Sequence, residues 1–152
     1  MSHSEQLASL GLELPPVVTP VGSYVPALQD GNTVYTSGQL PMRDGRLICL
    51  GKVGADVTLE DAAAAAELAA LNAIAAVAAV AGGIDQIEQI VRLSVFVSSA
   101  PGFVDQPKVA NGGSDLVGKI FGQAGKHARS AVGVAELPLN AAVELEMIAR
   151  VK

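Results

Sequence analysis

The sequence predicts an α+β fold, a mostly antiparallel mixed sheet with two helices packed on one face. Two observations lead there. Hydrophobic patterning runs as three short strands, a helix, a strand, a second helix and two final strands. Two Asp-Gly pairs, Asp30-Gly31 and Asp44-Gly45, stand where tight hairpins need positive φ at both central residues. Helices on one face leave the other sheet face bare. Half of the 152 residues are apolar, so another copy of the chain is the expected cover. Residues 1–152 are expected to form one domain.

Each element has a local cause. Ser4 to Leu10 suits a short helix stopped by Gly11, and Pro15-Pro16 forces an extended connection. YVPALQ and NTVYTSG flank the first Asp-Gly pair, and the second leads into RLICLG, which predicts a meander of three strands. Thr58 and Asp61 form a capping-box-like start to an alanine-rich helix over 59–81, with Gly82-Gly83 as its stop. Leu68, Leu71 and Ile74 give it one bulky stripe. Glu60, Asp61, Glu67 and Asn72 interrupt the apolar run and argue against a membrane span.

Beyond it, 84–89 reads as a helical turn and IVRLSVFV as a central strand. A second helix is predicted within 104–121, with Leu116, Val117 and Ile120 inward. Gly112-Gly113 weakens its middle by about 1 kcal/mol per glycine, which close backbone approach at an interface would offset. SAVGV and AAVELEMIARV, joined through Leu137-Pro138, read as a final hairpin.

Composition narrows the function. Ten basic and fifteen acidic residues give a net charge of −5, which opposes a polyanion partner, and five Phe or Tyr with no Trp offer few platforms for stacked bases. No nucleic-acid or membrane partner is expected. The opening MSHSEQLASLGLELPP has neither a basic n-region nor an apolar run, so a cytoplasmic location is expected. The lone Cys49 reads as a buried strand thiol. His3 and His127 belong to no metal-ligand spacing and read as surface residues. No metal and no cofactor is expected.

Phosphate loops, nucleophile elbows, HExxH and paired CxxC motifs are missing, so placement must carry the signal. Arg129 stands at the mouth of the first strand of the last hairpin, with no acidic residue within six positions, and Glu144 and Glu146 lie in the second. Such a hairpin brings a cation and a carboxylate to one end of the sheet. They could form a cross-strand pair worth a few tenths of a kcal/mol. Alternatively, the planar guanidinium anchors a small organic acid while a glutamate holds water. Tyr24, Ser37 and Asn111 lie in glycine-rich or apolar contexts, as turn and surface residues or as parts of a site.

GSYVPALQDGNTVYTSGQLP, residues 22–41, together with HARSAVGVAELPLNAAVELEMIA, residues 127–149, resembles the Rid (YjgF-type) family of reactive-intermediate imine deaminases. ARSAVGVAELP followed by VELE carries most of the resemblance, which extends from about residue 21 onward. It implies a chorismate-mutase-like fold and a homotrimer with sites between subunits. The implied reaction is hydrolysis of 2-imino acids or enamines to 2-keto acids and ammonia, with a small carboxylate-bearing imine or keto acid as ligand. Arg129 matches the family's carboxylate-gripping arginine and Glu144 its water-associated glutamate. Tyr24, Ser37 and Asn111 match residues that line the cleft. Where the deaminase branch often has cysteine, this chain has Ala131. The alternative is a non-catalytic module that binds or senses a small carboxylate. The acidic charge opposes RNA cleavage, and one obvious cation is a poor match for chorismate.

Overall fold

The computed structural model describes residues 1–20 and 22–152. The chain runs α1 (His3–Ser9), β1 (Ala27–Asp30), β2 (Thr33–Thr36), β3 (Met42–Arg43), β4 (Arg46–Leu47), α2 (Leu59–Ala81), β5 (Ile87–Ser98), α3 (Gln106–Phe121), β6 (Ala128–Val134) and β7 (Val143–Val151). Single 3₁₀ turns occupy Ile84–Gln86, Gly122–Gly125 and Pro138–Asn140.

Five strands form one sheet in the order β1-β2-β7-β5-β6. Every pairing is antiparallel except β5 with β6. The fold class is the expected one, a mixed, mostly antiparallel sheet with helices on one face. Along β7, Val143, Leu145, Met147, Ala149 and Val151 are buried toward α2, while Glu144, Glu146, Ile148 and Arg150 point to the open face. Leu28, Tyr35 and Val132 stand 60, 46 and 45 % exposed on that open face.

Two expected strand pairings differ from the structure. A hairpin does close β1 onto β2, in register from Ala27↔Thr36 to Asp30↔Thr33, but its two central residues are Gly31 and Asn32 rather than Asp30 and Gly31, and of the three only Gly31 has positive φ, at 62°. The second turn also forms, with φ of 53° at Asp44 and 74° at Gly45. It closes only the two-stranded β3-β4 ribbon, separate from the main sheet, so there is no three-stranded meander. The chain leaves the sheet at Leu40-Pro41, where proline has no N–H for a ladder. Cys49 lies beyond the ribbon at φ 71°, half-buried and outside any strand.

The final hairpin is also absent. β6 pairs with β5 in parallel, and β5 stands between β6 and β7. An apolar strand such as β5 reaches its burial by being flanked on both sides, and this excludes direct β6–β7 pairing.

Helix α2 begins and ends where capping chemistry places it. The Thr58 hydroxyl accepts the Asp61 amide, and Gly82 stops the helix at φ 91°. Its length and mean hydropathy of 1.8 would allow a membrane span, but it packs as the core helix, with 67 % of that window buried. The Gly112-Gly113 pair of α3 meets α2 at close range. A Cβ on Gly112 would overlap the Ala63 backbone carbonyl, and one on Gly113 would lie 3.0 Å from Leu145 and 3.3 Å from Ala70. The interface that offsets these glycines is the helix–helix contact itself.

Both chain ends dock on the Ile84–Gln86 turn. Ser4 donates its amide and hydroxyl to the Asp85 carboxylate at 2.9 and 2.6 Å. From the other end the Lys152 amide donates to Gln86 O and its Nζ to Asp85 O. His3, expected at the surface, is half-buried instead, with its ring edge-on to Phe121 at 4.8 Å.

Candidate functional site

Arg129 lies on β6 in register with Leu93, a fully buried residue facing the helices. Its side chain therefore shares the helix side of the sheet and reaches α3. Nη1 donates to Asn111 Oδ1 at 2.8 Å and to Ser114 Oγ at 3.0 Å, and Nη2 donates to Pro107 O at 3.3 Å. All three acceptors are neutral. No carboxylate pairs with Arg129 among the described residues. A guanidinium has five N–H donors, and three are engaged, so Nε–H and one Nη2–H remain available. Those two are the donors from which a carboxylate can be held in the plane of the group.

Glu144 is on β7 in register with Phe96, on the open face and half-buried. Its carboxylate lies directly over Gly38, where an added Cβ would overlap Oε1 and come within 2.7 Å of the carboxyl carbon. Burial pushes its pKa up, and the Glu146 charge adds to the rise. This favours a carboxyl that can carry a proton.

Ser37 does not present its hydroxyl hydrogen to a cleft. It donates to Val25 O at 2.6 Å, while the Ser37 amide donates to Pro26 O. These bonds tie the end of β2 to the segment carrying Tyr24. Tyr24 is 48 % exposed and lines a cavity of about 50 Å³ with Pro26, Gly38, Gln39 and Leu139. Leu139 stands there at φ 58° and Asn140 beside it at 62°, conformations that β-turns usually give to glycine or asparagine.

The five expected site residues thus fall into two groups. Arg129 and Asn111 meet on the helix side of the sheet edge. Tyr24, Ser37 and Glu144 gather around Gly38 near the open face. Within one chain, Arg129 and Glu144 are on opposite faces with β5 between their strands, so they form neither a cross-strand pair nor a common pocket. The expected meeting at one end of a hairpin fails because that hairpin does not exist.

Gly38, Ser114 and His127 also belong to these groups, although sequence reasoning did not select them. Pro107, Asn111 and Ser114 recur at i, i+4 and i+7 on α3, one helix face, and that spacing was a readable signal. The sequence leads one to expect His127 at the surface. It is half-buried instead, with Nε2 2.9 Å from Ser114 Oγ and Nδ1 2.6 Å from Gly125 O.

Residues 4–151 match the family described as "YjgF/chorismate mutase-like, putative endoribonuclease". This chain belongs to that family. Among YjgF-family relatives, Protein TCP17 of Trypanosoma cruzi is 41 % identical over 143 residues, spanning 93 % of this chain and 89 % of its own. A 2-iminobutanoate/2-iminopropanoate deaminase of Dermatophagoides farinae is 32 % identical over 133 residues, 85 % of this chain and 86 % of its own. The crystal structure of Atu1372 from Agrobacterium tumefaciens, a protein of unknown function, superposes with TM-score 0.90 at 43 % identity, covering 99 % of this chain and 92 % of that one. E. coli TdcF, crystallised with bound serine, superposes with TM-score 0.65 at 25 % identity, covering 90 and 94 %. The YjgF-type resemblance read in the sequence and the chorismate-mutase-like fold are therefore both established.

Proposed function

We propose that this protein hydrolyses reactive 2-imino acids or their enamine tautomers to 2-keto acids and ammonia. The observation that carries this reading is Arg129, a guanidinium held by three neutral acceptors with Nε–H and one Nη2–H still available. A 2-imino acid has its carboxylate directly beside the electrophilic carbon. Anchoring the acid group therefore fixes the reacting atom.

Glu144 then acts on water. As water adds to C2 of the iminium, the carboxylate accepts one of its protons, giving a carbinolamine. Returning that proton to nitrogen lets the C–N bond break, its electron pair leaving on ammonia, while the hydroxyl gives its remaining proton to the Glu144 carboxylate as the carbonyl forms at C2, and that proton then passes to ammonia. A pKa raised by burial suits a group that must both take and give that proton. The sequence similarity to the deaminase of Dermatophagoides farinae supports the assignment.

One chain holds Arg129 and Glu144 apart, so the reading requires a neighbour. We place the site between subunits of a homotrimer, with the β6 edge of one copy against the Glu144 side of the next. The uncovered sheet face, with Leu28, Tyr35 and Val132 exposed, supports burial against another copy. Tyr24 and Gly38 would then wall the cleft, with Ser37 holding the Tyr24 segment in place.

A carboxylate-binding module is the second reading, favoured by one fact: the Arg129 group is complete in one chain without Glu144. Turnover separates the two. An amino-acid oxidase generates the imine in situ, and 2-keto acid formation is followed with wild type, Arg129→Ala and Glu144→Gln. Faster formation with wild type alone supports the deaminase. Rates equal to the enzyme-free control, with 2-oxobutanoate still bound, leave only the binding module.

A further inference from the structure

We infer that Ser114 and His127 are positioning residues that fix the guanidinium of Arg129 through a directional hydrogen-bond chain. The direction follows from the one group in the chain that can only accept. Gly125 O lies 2.6 Å from His127 Nδ1, so Nδ1 carries the proton. In the neutral ring Nε2 is then an acceptor, and the group facing it at 2.9 Å is the Ser114 hydroxyl, which donates. With its hydrogen spent on the imidazole, Ser114 Oγ presents lone pairs to Arg129 Nη1 at 3.0 Å. Polarity therefore runs from Arg129 to Ser114 to His127 to the Gly125 carbonyl.

Each link restricts the next. Gly125 is buried, and a Cβ there would lie 2.6 Å from Val117 O, so the carbonyl that orients the ring is held by close packing on α3. The Ser114 hydroxyl has no freedom to turn and compete as a donor against Arg129. Together with Asn111 Oδ1, it occupies both Nη1 hydrogens and turns the opposite edge of the guanidinium outward. A serine beside a histidine can also be a nucleophile and its base, but Arg129 donates to this same Oγ and draws density from it. The pair is better suited to orientation than to attack.

This inference rests on Arg129 as the carboxylate anchor, and the test separates the two. Titration of 2-oxobutanoate into Ser114→Ala and His127→Phe is expected to show affinity about tenfold or more below wild type, the equivalent of one lost neutral link. His127→Gln should recover most of what His127→Phe loses, because its amide can donate to Gly125 O and accept from Ser114. A purely packing role would favour the aromatic replacement over glutamine. Equal affinity in wild type, Ser114→Ala and His127→Phe, with Arg129→Ala still losing binding, overturns the relay and leaves the anchor standing. Undiminished affinity in Arg129→Ala overturns both. Long-range ¹H–¹⁵N spectra of the wild-type imidazole test the chain without any substitution. A protonated Nδ1 and bare Nε2 are expected, and the opposite tautomer would overturn the inference.

Discussion

Gly38 and Glu144 are in contact across the β2–β7 side of the sheet, with no space between them for a methyl group. The carboxylate can rest where it does only because the facing residue has no side chain. Gly38→Ala must turn the Glu144 carboxylate away from this position, a movement of one flexible side-chain end that costs little stability but misplaces the carboxylate. The variant should therefore lose imine hydrolysis while 2-oxobutanoate binding, which depends on Arg129, changes little. Parallel turnover and titration measurements check this.

Arg129→Ala is expected to weaken 2-oxobutanoate binding by about two orders of magnitude, within the roughly 2–5 kcal/mol typical for truncating one partner of a buried charge pair. Arg129→Lys should rescue little, since an ammonium cannot occupy Asn111, Ser114 and Pro107 O and also hold a carboxylate with two parallel bonds. Isothermal titration of the three proteins is the check.

Glu144 sets a pH signature. Its folded-state pKa is raised, first by burial and then by Glu146. A carboxyl raised on folding contributes stability that is complete below its ordinary value and is lost as pH rises through the folded value. Glu144→Gln should therefore be more stable than wild type near about pH 7, with the gap closing in acid below the ordinary carboxylate range of about 4. Urea midpoints at the two pH values test the sign.

Two glycines of α3 should respond in opposite directions to alanine. At Gly118 nothing lies within 4 Å of an added Cβ, so Gly118→Ala should stabilise by about 1 kcal/mol through helix propensity. At Gly112 the same change meets the Ala63 carbonyl of α2 and should destabilise by about 1–3 kcal/mol despite the same propensity gain. Thermal midpoints of the two variants read the difference.

Association should respond to the open sheet face. Val132→Glu places a charge on an exposed apolar position of the edge strand β6. Wild type is expected to sediment as a trimer at micromolar concentration and Val132→Glu as a smaller species. A wild-type monomer would remove the shared-site geometry.

What the sequence revealed, and what it hid, follows from the range of the forces involved. Helix α2 was readable to the residue because Thr58 and Gly82 act within one helical turn of its ends. That a hairpin joins β1 to β2 was readable for a similarly local reason, the glycine at 31, although its turn is Gly31-Asn32, one residue beyond the expected Asp30-Gly31. The partner of β6 was not, because the choice between β5 and β7 is made by burial of β5 rather than by residues near Leu137-Pro138. Consecutive strands often pair, and here that rule misled. The edge position of β6 left one trace, a run of small and half-exposed residues where β7 has a buried residue at every second position. Arg129 and Glu144 stand out in the sequence as polar outliers, but their opposite faces depend on that strand order. The burial of His127 was not readable because its ring meets a serine thirteen residues away, a spacing that no single element fixes.

The docking of Ser4 and Lys152 on one short turn means that the two ends of this chain already meet in space. A few flexible residues could join them without disturbing any strand, and the continuous loop could be reopened at the exposed tip between Asp30 and Asn32. Such a re-threaded chain would keep every side chain named above in place while moving its free ends to the opposite side of the numbering. Fluorophores or fusion partners could then be attached beside the open sheet face and report directly on whether copies of the protein come together there.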